Sequence, residues 1–214
     1  MDVAVLIRQD DTLAIDPDAC DAVVFDMDGV LTHTARIHAR AWKETFDALL
    51  AARSESEGGE LEPFDIEDDY RRYVDGKPRY EGVRSFLSAR GIELAEGEPD
   101  DPPDRQTVRG LGNRKNERFL ALLRDEGAKC WEDGVALVRA LRDAKVRTGV
   151  FSASRNAREV LRSAGITDLF EVRVDGVVAA ETGLAGKPAP DVPVEAARRL
   201  DAAPERCAIV EDAI

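Results

Sequence analysis

At 214 residues, 43% hydrophobic and 34% charged, the chain is long enough to bury a core and to carry a second, smaller inserted domain. Thirty Lys and Arg against 43 Asp and Glu leave a net charge of -13, which disfavours nucleic acid and anionic membrane surfaces and points to a small-molecule substrate. No apolar run approaches the roughly 20 residues of a membrane helix. Met1–Asp18 lacks the basic start and long apolar stretch of a signal peptide, so the expected location is cytoplasmic. Cys20, Cys130 and Cys207 are widely separated, lack a CxxC partner, and read as ordinary buried thiols.

In chain order, Ala22–Phe25 is a short apolar run that predicts a buried strand entering a loop at Asp26-Met27-Asp28-Gly29-Val30. Ile37, Ala41, Trp42, Phe46, Leu49 and Leu50 then recur at helical spacing over Ala35–Leu50, with Thr34 as candidate N-cap. Arg53–Glu62 and Glu93–Pro103 are rich in Gly, Pro or acids and predict surface loops. Helices are expected over Asp65–Val74, Glu81–Arg90 and Asn116–Asp125. Trp42 and Trp131 read as core residues.

Beyond residue 130 the pattern alternates. Helix Gly134–Asp143, strand Thr148–Phe151, helix Asn156–Ala164, strand Glu171–Val174, helix Pro190–Leu200 and strand Cys207–Val210 follow one another. Helices alternating with short apolar strands predict an α/β fold with a Rossmann-like parallel sheet covered on both faces. The first strand is separated from the others by the helical stretch. The expected organisation is therefore a discontinuous core, residues 19–34 and 130–214, an inserted helical cap at 35–129 and an N-terminal extension at 1–18 of unassigned role.

In open parallel sheets ligands bind beyond the carboxyl ends of the strands. Those positions hold Asp26 and Asp28 after the first strand, Ser152, Ser154, Arg155 and Asn156 after the second, and Glu211 and Asp212 after the last, with Lys187 in Gly186-Lys187-Pro188-Ala189-Pro190. Phosphoryl transfer needs a nucleophile, a cation for the phosphoryl oxygens and donors that follow the developing charge. Asp26 is the candidate nucleophile, Asp28 the proton donor and acceptor, and Ser152 and Lys187 the phosphoryl-binding groups. Gathered carboxylates repel one another unless a hard cation with oxygen ligands, Mg²⁺, lies among them.

Each feature also has a plain structural reading. A bare Asp-x-Asp-Gly is usually a turn, Lys187 is a solvated loop lysine by default, and Ser152, Ser154 and Asn156 suit helix capping. Glu211 and Asp212 can be surface acids, His38 a packed helix histidine, and Arg79 and Lys115 surface charges.

Taken together, Phe25-Asp26-Met27-Asp28-Gly29-Val30 with Thr34, His38, Ala41 and Trp42, then Ser152-Ala153-Ser154-Arg155-Asn156, Gly186-Lys187-Pro188-Ala189-Pro190-Asp191 and Glu211-Asp212 resemble the haloacid dehalogenase superfamily, and within it the beta-phosphoglucomutase-like subgroup. The resemblance implies a Rossmannoid core with a helical cap and Mg²⁺-dependent transfer through an aspartyl phosphate. It implies Asp26 as nucleophile, Asp28 as general acid and base, and Mg²⁺ held by the Asp26 carboxylate, the Asp28 carbonyl and Asp212, with Glu211 in support. It assigns the substrate's second phosphate to Arg79, Ser154, Arg155 and Asn156, the sugar to Lys115 and Asn116, and a place near the hinge to His38. The sequence departs from the subgroup at Arg155, often Lys there, and at His33, often Asp.

Subgroup members continue past the paired acids, so the resemblance leads to the expectation that the C-terminal part of the core is truncated at Ile214. Three functions remain open at this point: a sugar-phosphate mutase, a sugar-phosphate phosphatase, and a module of a larger carbohydrate-metabolism enzyme.

Overall fold

A computed structural model describes residues 6–9, 12–16 and 18–212. The chain divides into two compact units, residues 1–34 with 128–214, and residues 35–127. The expected 1–18 extension lies partly outside the described residues. Within it, β1 (Leu6–Gln9) and β2 (Thr12–Ile15) pair antiparallel, a hairpin that the sequence pattern did not predict.

The first unit is built on a four-stranded, all-parallel sheet: β3 (Ala22–Asp26), β4 (Arg147–Phe151), β5 (Val172–Val174) and β6 (Cys207–Val210), in the order β5-β4-β3-β6. All five residues of β3 are buried, which is why Ala22–Phe25 is a continuous apolar run rather than an alternating one. From β3 the sheet grows through β4 to β5, then the chain returns to add β6 on the other side of β3. The carboxyl end of β3 is thus a topological switch point, the place where such sheets leave a crevice.

Helices α4 (Glu132–Asp143), α5 (Ala157–Ser163), α6 (Gly176–Thr182) and α7 (Asp191–Arg199) belong to the same unit. One helical stripe, Val192, Ala196 and Ala197 continued by Leu200, packs on Ala22, Val24, Phe151 and Val174 of the sheet. The small alanines let the helix backbone approach the strands closely. α6 was not foreseen: its seven residues show no long apolar stripe, and Asp175, which accepts from the Val177 and Val178 amides, supplies the N-cap. Trp131, expected in the core, is 44% exposed; it immediately precedes α4 and stacks on His33 with ring centroids 3.5 Å apart. Cys20 and Cys207 are buried as expected, whereas Cys130 is only partly so.

The second unit contains α1 (Ala35–Glu57), α2 (Arg79–Ala89) and α3 (Val108–Glu126). Trp42, Phe46, Leu49, Phe64, Val83, Phe86, Leu87 and Leu111 form its core, with Phe46 stacked on Phe86 at 4.0 Å between centroids. Truncating Phe46 to Ala should cost about 3–5 kcal/mol, the usual toll of an aromatic cavity.

Three expectations for this unit need correction. The first helix continues as far as Glu57 through a polar stretch in which Glu55 and Ser56 are exposed, and stops only where Gly58 and Gly59 take positive φ. Asp65–Val74 is not one helix. The Asp65 carboxylate accepts from the Glu67 and Asp68 amides, and a wide π-type turn follows at Tyr70–Val74. α3 starts eight residues before Asn116, because Gly110 and Gly112, helix-weakening by composition, are packing glycines here: a β-carbon on Gly112 would stand 2.5 Å from the Tyr80 ring. Thr107 caps this helix through the Gly110 amide.

Candidate active site

β3 delivers Asp26 to the switch point, 4% exposed and aligned with Phe151 of β4. The chain then turns: Leu31 and Thr32 both donate their amides to the Met27 carbonyl, and the Gly29 amide donates to the Thr32 carbonyl. Gly29 has φ +89°, and a β-carbon there would lie 2.1 Å from Asp212 Oδ2, so the loop must carry glycine where the acidic pair draws in.

Lys187 Nζ lies 3.0 Å from Asp26 Oδ1 and 2.8 Å from Glu211 Oε2, joining the ends of β3 and β6 through one ammonium. Asp26, Glu211 and Asp212 each bring a carboxylate oxygen within 4.8 Å of the others. Burial pushes the Asp26 carboxyl up to about 7, against the pull of Lys187 and with Glu211 adding to the rise. At Lys187 burial opposes the ammonium, but Asp26 and Glu211 outweigh it and its pKa is raised. Asp212 is also raised, first by burial and then by neighbouring Glu211. Asp26, Glu211 and Asp212 together form an oxygen-only donor set that suits a hard divalent cation.

The Asp28 carboxylate lies outside that trio. Its Oδ1 accepts from Thr34 Oγ1 in a short contact and from Thr32 Oγ1 at 3.4 Å. Sequence reasoning gave Thr34 only a capping role and passed over Thr32. The sequence shows only two threonines within six residues of an acid; their full burial, which makes each hydroxyl need a partner, comes from the fold.

At the end of β4, Ser152 Oγ accepts from the Ser154 amide at 3.0 Å and Ser154 Oγ from the Asn156 amide at 3.1 Å. Each hydroxyl keeps its O–H to donate. Arg155 is exposed and Asn156 precedes α5 without a side-chain cap bond.

The remaining predicted residues gather in the helical unit. Lys115 Nζ donates to His38 Nδ1 at 2.6 Å, and Arg79 Nη2 donates to Asn116 Oδ1 at 2.8 Å. Lys115 is 4% exposed and its ammonium lies 4.9 Å from the Trp42 ring centroid and 5.0 Å from that of Phe119. His38 stacks on Phe119, and burial, then Lys115, then Arg79 hold it well below the usual histidine range, so it is neutral.

The family model described as haloacid dehalogenase-like hydrolase matches residues 20–214. The chain belongs to this family. As a haloacid dehalogenase-like hydrolase it is an enzyme of the phosphotransferase and phosphatase kind. It is 48% identical over 198 residues to the beta-phosphoglucomutase of Mycobacterium bovis, covering 92% of this chain and 76% of that one. It is 39% identical over 191 residues to an uncharacterized glycosyl hydrolase of Mycobacterium tuberculosis, covering 89% of this chain but 14% of that one. Among solved structures, CbbY from Rhodobacter sphaeroides in complex with phosphate superimposes with a TM-score of 0.67 at 26% identity, over 91% of this chain and 79% of that one. The parallel sheet and flanking helices of the first unit are those of the family's Rossmann-like core.

Proposed function

We propose that the enzyme transfers a phosphoryl group on a sugar phosphate by way of an aspartyl phosphate on Asp26, as a mutase of the beta-phosphoglucomutase type. The observation that carries this reading is the ammonium of Lys187 shared between Asp26 and Glu211 beside Asp212, in a chain 48% identical to a beta-phosphoglucomutase.

An oxygen of Asp26 attacks phosphorus, an Oδ–P bond forms, and the P–O bond to the sugar breaks. Asp28 gives a proton to the departing sugar oxygen. In the second half-reaction Asp28 takes the proton of an incoming sugar hydroxyl as that oxygen attacks phosphorus and releases Asp26. Lys187 and Ser152 donate to the transferring oxygens, and Lys187 offsets the charge of the nucleophile. Asp26, Asp212 and the Asp28 carbonyl, with Glu211 behind them, would hold Mg²⁺, whose chemistry is to neutralise charge on phosphoryl oxygens. Arg79, Lys115, Asn116 and His38 of the helical unit, and Ser154, Arg155 and Asn156 of the core, are assigned to the sugar and its non-transferring phosphate.

The deciding assay incubates the enzyme with beta-glucose 1-phosphate, Mg²⁺ and trace glucose 1,6-bisphosphate. Glucose 6-phosphate supports the mutase. Free phosphate as the sole product overturns it in favour of a phosphatase, in which water replaces the sugar hydroxyl. A second reading, a haloacid dehalogenase module within a larger carbohydrate enzyme, draws on the match to a small part of a glycosyl hydrolase. It is tested by sequencing the transcript that encodes this chain.

A further inference from the structure

The turn that follows β4 does not stand by its own hydrogen bonds alone. The Ser152 amide donates to the Val174 carbonyl at 3.2 Å, and the Gly176 amide donates to the Ser154 carbonyl at 3.2 Å, so the end of β5 and the start of α6 form a floor beneath residues 152–155. A β-carbon on Gly176 would stand 2.4 Å from the Ala153 carbonyl oxygen and 3.1 Å from the Arg155 nitrogen. Both are backbone atoms, which cannot swing aside as a side chain can. Gly176 has no positive φ, so nothing in its own conformation calls for glycine, and the requirement comes from the turn above it.

Asp175 fixes that floor in place. It is 2% exposed, its Oδ1 accepts from the Val177 and Val178 amides at 3.0 and 3.2 Å, and its Oδ2 pairs with Arg173 Nε at 2.7 Å. Both carboxylate oxygens are used inward, on the backbone and on a strand neighbour. Two adjacent residues thus do complementary work: one leaves room, the other prevents the room from closing or shifting.

We propose that Gly176, locked by Asp175, is a positioning residue that sets the height of the Ser154–Asn156 turn and through it the grip on the substrate's non-transferring phosphate. The assignment of that phosphate to the turn rests on the function proposed above. The steric contact falls on residues 153 and 155, while the Ser152 amide is held by β5. The device therefore acts first on the second phosphate, and reaches the transferring one only through the single bond from the Ser154 amide to Ser152 Oγ.

The test compares wild-type protein with Gly176→Ala and Asp175→Ala. Three readouts are amide hydrogen exchange of a peptide spanning 152–156, calorimetric binding of glucose 1,6-bisphosphate, and hydrolysis of p-nitrophenyl phosphate, which carries a single phosphoryl group. In Gly176→Ala, exchange of the turn should rise about fivefold or more while α2 and α3 are unchanged. Bisphosphate affinity should fall about tenfold. Turnover of p-nitrophenyl phosphate should stay within about twofold of wild type. Should Gly176→Ala not fold, Asp175→Ala carries the same comparison, since it frees the floor without adding volume. Unchanged exchange in the folded variants overturns the proposal. Equal losses of bisphosphate binding and p-nitrophenyl phosphate turnover overturn its restriction to the second phosphate. A wild type that binds no bisphosphate while the variants still loosen the turn upholds the positioning role and sinks the substrate reading instead.

Discussion

Gly29 and Asp212 approach so closely that the hydrogen of the one occupies the space a methyl group would need beside the carboxylate of the other. With φ at +89°, Gly29 could not carry a side chain without strain even in open space. Gly29→Ala should therefore push Asp212 away from Asp26 and Glu211. Calorimetric titration with Mn²⁺ or Mg²⁺ should show affinity reduced about tenfold or more, in the range seen when residues supporting metal ligands are altered. Unaltered cation affinity would show that Asp212 does not contribute to a metal site.

Asp26 sets a pH dependence of stability with a defined sign. Its folded carboxyl, raised to about 7, holds a proton that the unfolded chain releases near the ordinary carboxylate value. The native state binds more protons across that window, so cation-free wild-type protein should lose stability relative to Asp26→Asn as pH rises from about 4 to about 7, and level off above. A shift of this size sets a ceiling of about 4 kcal/mol on the difference. Thermal melts of both proteins in chelator, at intervals across that range, measure it. Parallel curves would mean that Asp26 is ionised throughout.

Asp26→Ala should abolish phosphoryl transfer and leave the fold intact, because one carboxylate at a strand end adds little to the core. The measurements are turnover and circular dichroism of the same preparation. Retained turnover in the folded variant would falsify the nucleophile assignment.

Lys187→Met keeps the bulk of the side chain and removes the ammonium between Asp26 and Glu211. With that charge gone the two acids repel without relief, so phosphoryl transfer should drop about 10²–10³-fold, the scale reported by removing one preorganised donor. Steady-state kinetics on any accepted phosphate ester read it out. A loss smaller than about fivefold would place Lys187 outside the phosphoryl-binding machinery.

In the helical unit, Lys115→Met should let His38 protonate more readily, since Lys115 is the first of the two cations that depress it after burial itself. The chain has two histidines, His33 and His38, so histidine resonances followed through a pH titration resolve the change. The expected result is an upward shift at His38.

The sheet and the residues at its strand ends were legible in the sequence, because Ala22–Phe25 and Cys207–Val210 are apolar runs that stop abruptly at acids. The first of these runs is buried on both faces, whereas β6 lies at the end of the strand order with Ile209 43% exposed, and an acid at the end of either needs a partner. Less legible were features whose cause lies elsewhere in the chain. Gly110 and Gly112 look like helix breakers until Arg105 and Tyr80 are seen against them, and Gly176 looks like a loop residue until Ala153 is seen above it. Trp131 misled in the opposite sense, since its size predicts burial while its place at the head of α4 leaves it to stack on His33 near the surface.

The sheet order also governs when this protein becomes reactive. Lys187 follows Asp26 by 161 residues in the chain, and β6, which settles beside β3 with Glu211, comes later still. Such distant pairings are slow to form. A growing chain therefore carries Asp26 through that interval with neither the ammonium nor the companion acids in place, and the proposed phosphoryl-transfer site is complete only once β6 has docked beside β3.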